Sequence, residues 1–470
     1  MKIGRRDFIL GSLSVSLANH LICGLGHCQD QSKEVGAPNI IIILADDLGY
    51  GDVGCYGQSY ILTPNIDRLA KEGVQFLDGY AGSPVCAPSR CCLMTGYHTG
   101  HARIRANSTI PLMPEDITIA EVLKKAGYVT GLIGKWGLGE PETPGIPNLQ
   151  GFDEFYGYLN QVHAHNYYPD YLWRNMNKER IEGNVISDIP GVCAQCSQYA
   201  HDLLTKEALE FIRRNASNKF FLYLSFTIPH ANNELGNAKG NGMEVPSDEP
   251  YSDRPWPQPQ KNHAAMITRL DDSVGKILSL LEELRIDENT LILFSSDNGP
   301  HKEGGADPEF FKSSGPLKGY KRSLYEGGIR VPFIIRWKGR IEGGKKSTTP
   351  VSFWDILPTF AELAGITSPQ KIDGISFAPL LFGEENIVSS FMNRPLYWEF
   401  YEGGFQQAMR LGEWKIILNK YGDPLELYNL VEDIGEKNNL AGKYPDKTKE
   451  LSEIMKLQRT PSPYWQTPLD

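Results

Sequence analysis

Asn39-Ile40-Ile41-Ile42-Ile43-Leu44-Ala45-Asp46-Asp47-Leu48-Gly49-Tyr50-Gly51-Asp52 is the stretch that decides the fold class. Its first half is an unbroken run of branched aliphatic residues. Such a run suits a strand covered on both faces, because a strand with one wet face alternates instead. The run stops at two adjacent aspartates, so the chain leaves the sheet carrying charge. Downstream, short apolar runs alternate with stretches of helical period. Thr63-Pro64 reads as an N-cap with proline at the first helical position, and Gly73 closes that helix. Residues 121–126 read as a helix ended by Gly127, with a strand over 128–133 behind it. A helix over 201–213 leads to a strand over 220–226, and the amphipathic stretch 271–284 leads to a strand over 291–294. This alternation predicts an α/β fold with a large, mostly parallel sheet flanked by helices.

The rest of the chain divides around that core. A catalytic α/β domain is expected over 37–385, ending in a helix over 353–364 and a Gly/Pro-rich passage. From Pro395 the texture changes to short aromatic-rich strands over 396–401, 407–411 and 414–418, then a polar helix from about Asp446. Residues 386–470 therefore read as a smaller C-terminal α+β subdomain with an antiparallel sheet. Residues 1–36 read as a signal segment and linker: a basic start, an apolar stretch over 8–25, and a polar tail. Gly4-Arg5-Arg6-Asp7-Phe8-Ile9-Leu10 resembles a twin-arginine signal, which implies export to a bacterial periplasm or beyond. Asn19 and His20 interrupt the apolar stretch, so no stable membrane span is expected.

The chain has 470 residues, with 47 Lys and Arg against 57 Asp and Glu, for a net charge of −10. That balance argues against a nucleic-acid partner. Of the eight cysteines, Cys193-x-x-Cys196 lacks a second pair at zinc spacing, which leaves a local disulfide or free thiols.

Polar groups gather just past the strand ends. Asp46 and Asp47 follow the first strand, Lys135 the strand over 128–133, His230 the strand over 220–226, and Asp297 and Asn298 the strand over 291–294. Open α/β sheets bind ligands outside the carboxyl ends of their strands, so these residues should meet in one crevice. Asp46, Asp47, Asp297 and Asn298 form an all-oxygen donor set suited to calcium, or magnesium as second choice. Ser83-Pro84-Val85-Cys86-Ala87-Pro88-Ser89-Arg90 reads as a loop entering a short helix that begins near Pro88 and stops at Gly96. Cys86 would sit at that helix N-terminus, where backbone N–H groups favour an anion and a thiol pKa can fall.

Cys86-Ala87-Pro88-Ser89-Arg90 resembles the signature of the type I sulfatases of the alkaline phosphatase superfamily, in which the cysteine becomes formylglycine. Gly134-Lys135-Trp136-Gly137-Leu138-Gly139, Pro229-His230, Ser296-Asp297-Asn298-Gly299, Lys321-Arg322-Ser323-Leu324-Tyr325-Glu326-Gly327-Gly328 and Gly412-Glu413-Trp414-Lys415 follow in the family's order. The resemblance spans nearly all of the mature chain. It implies an alkaline-phosphatase-like fold, sulfate-ester hydrolysis, and a maturase acting on Cys86. It also implies a Ca2+ ion held by Asp46, Asp47, Asp297, Asn298 and the modified residue 86. One hydroxyl of the hydrated aldehyde would attack sulfur, and the other would later expel sulfate. Arg90 would steady that centre, Lys135 and Lys321 would grip sulfate oxygens, and His230 would protonate the leaving oxygen.

One position departs from the family. Gly137 stands where most members carry a histidine, and His163 or His165 is expected to fill the space. Aromatic and polar residues around Tyr167, together with Trp398, Glu399 and Gln407, are candidates for a sugar pocket. A sulfated carbohydrate is therefore the expected substrate. Three alternatives stand beside this reading: a phosphomonoesterase or phosphonate hydrolase of the same superfamily, a non-catalytic glycan-binding homologue, and, least suited to these ligands, a zinc hydrolase.

Overall fold

The computed structural model describes residues 36–470, and Ala37–Asp470 forms one compact unit. The expected signal segment, with Cys23 and Cys28, lies outside the described residues.

Fourteen strands build the two larger sheets. The large sheet contains β1 (Asn39–Ala45), β2 (Val74–Phe76), β3 (Val129–Lys135), β4 (Glu154–Tyr158), β5 (Tyr171–Arg174), β6 (Asn177–Arg180), β7 (Phe220–Ser225), β8 (Thr290–Ser296), β9 (Phe333–Trp337) and β10 (Lys345–Ser347). Its order is β10-β2-β9-β8-β1-β7-β3-β4-β5-β6. The centre, β8-β1-β7-β3-β4, is parallel throughout, while β9, β5 and β6 join antiparallel. The small sheet is an antiparallel meander of β11 (Pro395–Phe400), β12 (Gln406–Leu411), β13 (Trp414–Leu418) and β14 (Glu426–Asn429).

The longer helices are α1 (Pro64–Lys71), α2 (Cys86–Thr95), α3 (Ile119–Lys125), α4 (Ala200–Arg214), α5 (Asn233–Lys239), α6 (Gln258–Glu283), α7 (Ile356–Leu363) and α8 (Pro445–Lys456). Alternation along β1 sorts most of them into two layers. Ile40, Ile42 and Leu44 face a core shared with α2, α3 and α7, whereas Ile41, Ile43 and Ala45 face one shared with α1, α4 and α6. Burial on both sides is why Ile40 to Ala45 carry no polar side chain. The small sheet likewise uses both faces. Leu396, Trp398 and Phe400 join the first core, and Tyr397, Met409 and Ile416 pack with Leu451 and Met455 of α8.

Two readings of local structure change. Thr63 is the N-cap residue of α1, but its side chain caps nothing. The first-turn amides of Asn65 and Ile66 instead donate to Asp271 of α6, at 3.0 and 2.7 Å. The helix expected from Asp271 begins at Gln258, because His263, Ala264, Met266 and Ile267 extend the buried stripe upstream. Cys193 and Cys196 are joined in a local disulfide.

Candidate active site

Three cation–carboxylate pairs form at the carboxyl ends of the central strands. Lys135, the last residue of β3, donates to Asp46 Oδ2 at 2.7 Å. Lys321, on the loop before β9, donates to Asp47 Oδ2 at 2.8 Å. Arg90, one helical turn into α2, reaches Asp297 Oδ2 through Nη2 at 2.7 Å and through Nε at 3.1 Å. It also donates to the Lys135 carbonyl at 2.9 Å and to Ser225 Oγ. All six paired residues are buried.

Cys86 is the first residue of α2, and its Sγ lies 3.3 Å from Asp46 Oδ1. A thiolate there is not favoured. Burial, and then the Asp46 charge, push the thiol well above its ordinary range. The reading of Cys86 as a thiol activated by a lowered pKa is thereby corrected.

Ligating atoms of Asp46, Asp47, Cys86 and His230 lie within 4.8 Å of one another. Asn298 donates from Nδ2 to Asp47 Oδ1 at 2.7 Å, and its Oδ1 is buried without a partner among the described residues. Asp47 holds a left-handed backbone, φ 67°, and its N–H donates to Asp297 Oδ1 at 3.1 Å. Burial and the Asp46 charge push the Asp297 carboxyl up to about 7. Burial also opposes ionisation of Asp46, but Lys135 and Arg90 outweigh it and hold Asp46 well below the carboxylate range. Hard oxygen donors, a carboxyl raised by crowding and an orphaned amide oxygen fit a divalent cation such as calcium.

His230 Nδ1 lies 2.7 Å from the Ala231 carbonyl. A carbonyl only accepts, so Nδ1 carries the proton and Nε2 presents its lone pair to Lys321 Nζ at 3.0 Å. Burial, and then Lys321, keep this imidazole well below its usual pKa. Tyr167, a candidate for the sugar pocket, is instead fully buried and donates to the carbonyls of Thr227 and His230, so it braces this loop.

The family model described as Sulfatase matches residues 38–366, and one described as N-sulphoglucosamine sulphohydrolase, C-terminal, matches residues 319–460. The chain belongs to the sulfatase family. It is 34% identical over 435 residues to N-acetylgalactosamine-6-sulfatase of Canis lupus familiaris, covering 86% of this chain and 76% of that protein. It is 30% identical to N-acetylgalactosamine-6-O-sulfatase of Bacteroides thetaiotaomicron, covering 92% and 95%. Among solved structures, Ps i-CgsB in complex with k-i-k-neocarrahexaose matches with a TM-score of 0.76 and 31% identity, over 90% of this chain and 93% of that one. The phosphonate monoester hydrolase of Agrobacterium radiobacter, at 21% identity and a TM-score of 0.63 over 90% and 95%, shares the fold. This sulfatase is accordingly a sulfuric ester hydrolase.

Several expected residues fall elsewhere. A Cβ on Gly137 would lie 2.2 Å from Gln161 Nε2, so Gln161, rather than His163 or His165, occupies the space beside this glycine. His163 stacks on Tyr171 at 4.4 Å, away from that position. His165 does reach the site by stacking on His230 at 4.8 Å, with Nδ1 3.2 Å from Glu234. Trp398, Glu399 and Gln407 are buried, and each engages a polar atom within the protein. Trp398 donates to the Ala81 carbonyl at 2.9 Å, and Gln407 to Tyr397 Oη at 2.6 Å. Glu399 accepts from Arg105 at 2.6 Å and from Arg459 at 3.2 Å.

The sequence reading missed Gln161, Ser225, Glu303 and Arg322. Arg322 stood in the quoted motif beside Lys321 without a role, and Glu303 left a trace as a carboxylate closely following Asp297-Asn298 in a Gly-rich segment.

Proposed function

We propose that this sulfatase cleaves sulfate esters of a carbohydrate through formylglycine made at residue 86 by a maturase, with calcium in the carboxylate cluster and magnesium as second choice. The observation that carries this reading is the placement of Cys86, 3.3 Å from Asp46 and inside a ring of Arg90, Lys135 and Lys321. Hydrated formylglycine would supply the attacking oxygen, and a bound cation would supply Lewis-acid polarisation.

The chain's own residues do the rest. Asp46, Asp47, Asp297 and Asn298 would hold the cation. Arg90 fixes Asp297 and borders Asp46. Lys135 and Lys321 hold the sulfate oxygens, where charge builds in the transition state. His230, with Nδ1 anchored on a backbone carbonyl, aims Nε2 at the leaving oxygen; the bound anionic ester favours uptake of a proton at Nε2, which then passes to that oxygen, a role worth ~10²–10⁴-fold.

Relatives named for N-acetylgalactosamine-6-sulfate hydrolysis, and a similar structure holding a neocarrahexaose, favour a sulfated galactose-type sugar. Export by the twin-arginine route belongs to the same proposal. No helix among the described residues is long and apolar enough to cross a membrane.

Two measurements test this reading. Mass spectrometry of the peptide spanning residue 86, from a host with the maturase, should find an aldehyde in place of the thiol. Turnover of aryl sulfate should exceed that of aryl phosphate. An untouched thiol in fully active enzyme, or a dominant phosphatase rate, would refute the proposal.

A further inference from the structure

Glu303 stands beside Lys321 and His230, in no role assigned so far. Its Oε2 lies 3.1 Å from Lys321 Nζ and 3.8 Å from His230 Nε2, and its Oε1 pairs with Arg322 Nη1. Arg322 is tied in turn to Glu402 at 3.0 Å. Two cations therefore occupy both Glu303 oxygens, which keeps it negatively charged.

An ammonium has three N–H donors. Lys321 directs all of them at neighbours already present: Asp47 at 2.8 Å, His230 at 3.0 Å and Glu303 at 3.1 Å. An ester oxygen gripped by Lys321 must take the place of one of these partners, and it then lies against the Glu303 carboxylate.

Charge separates the esters that reach that position. A sulfate monoester carries one negative charge at neutral pH, whereas a phosphate monoester, with a second pKa near ~6, carries about 1.5–2. Arg90, Lys135, Lys321 and a bound cation would by themselves favour the more highly charged phosphate. Asp46, Asp47 and Asp297 face that cation. Of the two carboxylates on Lys321, Asp47 also belongs to that cation set, whereas Glu303 faces Lys321, Arg322 and His230.

We propose that Glu303 is a charge filter, a fixed carboxylate that sets this enzyme's preference for monoanionic sulfate esters over dianionic phosphate esters. The inference rests on the placement of Lys321 and His230 at the transferring group in the proposed function. It is specificity by repulsion, in which a like charge penalises the wrong substrate more than the right one.

The test compares kcat/KM for 4-nitrophenyl sulfate and 4-nitrophenyl phosphate in calcium-loaded wild type, Glu303→Gln and Glu303→Asp, from pH 5 to pH 7.5. Competition by methyl sulfate and methyl phosphate against the preferred substrate gives a second readout. Glu303→Gln should lower the sulfate-to-phosphate ratio by about tenfold or more at pH 7.5. Glu303→Asp, which keeps the charge, should stay near wild type. The wild-type ratio should rise with pH as the phosphate ester gains its second charge, and this rise should flatten or reverse in Glu303→Gln. Parallel pH profiles, or equal losses on both esters in Glu303→Gln, would show a structural tie only and overturn the filter. A wild-type preference for phosphate would refute the functional reading itself, a separate failure.

Discussion

Replacing Arg90 with alanine should expose how much of the site's order depends on one buried guanidinium. Arg90 is fully buried, is held by Asp297, the Lys135 carbonyl and Ser225 Oγ, and lies 3.5 Å from Asp46 Oδ2. Removing one member of a buried ion pair costs about 3–5 kcal/mol, because the remaining charge is left uncompensated. Water entering the vacated space recovers part of the lost hydrogen bonding, so a loss of ~4 kcal/mol is the central expectation. That is a large share of the ~5–15 kcal/mol typical of a folded protein, yet small enough to leave a folded variant. Urea unfolding in the presence of chelator should therefore show a clearly lower midpoint for Arg90→Ala. Calcium should then restore more stability to the variant than it adds to wild type, since a cation replaces the missing positive charge beside Asp297. At about 100 times its Kd, a bound ligand adds ~2.7 kcal/mol even without that bonus. A wild-type midpoint in chelator, or an equal calcium increment in both proteins, would refute the charge argument.

Asp297→Ala should abolish calcium binding, measured by calorimetry, together with turnover, because too few carboxylates would remain to hold the ion. Full activity of that variant in chelator would contradict the site. Stability should fall as pH drops below 6.5, because burial lowers His201 from 6.5 to about 3, and the unfolded chain takes up its proton first across that window. His98, His163 and His263 are depressed in the same direction, so the test is a difference: His201→Gln should flatten the urea midpoint against pH by about one proton, up to ~1.4 kcal/mol per pH unit. Identical slopes would sink it.

The sheet was legible in the sequence because its physics is local. Ile40 to Ile43 need cover on both sides, and Gly127 and Gly96 end helices where a side chain would resist the left-handed turn. The polar residues at the strand ends were legible for the same reason, since parallel strands deliver their carboxyl ends to one edge. What stayed hidden depends on contacts across the chain. Asp271 caps α1 from a helix more than two hundred residues away. Gln161 fills the space at Gly137 because a Cβ there would collide with it, a relation no spacing rule encodes. Glu399 looked like a sugar ligand because a strand-borne carboxylate beside aromatics has the right composition, and its two arginine partners come from distant loops.

The pairing at the strand ends carries a further consequence. Asp46, Asp47 and Asp297 each neutralise one cation, Lys135, Lys321 or Arg90, so the crevice is internally satisfied before any ligand arrives. A divalent cation draws on the same carboxylates, and the lysines then lose attraction from their partners just where an ester would seek them. An anionic ester that engages the lysines likewise releases carboxylate charge to the cation. Each ligand thus lowers the cost of binding the other, and such coupling must be reciprocal. Calcium should bind more tightly in saturating methyl sulfate, and methyl sulfate more tightly in calcium, by the same factor. Calorimetric titrations in both orders that show independent binding would mean the three pairs survive loading, and the exchange of partners on which the proposed chemistry depends would not take place.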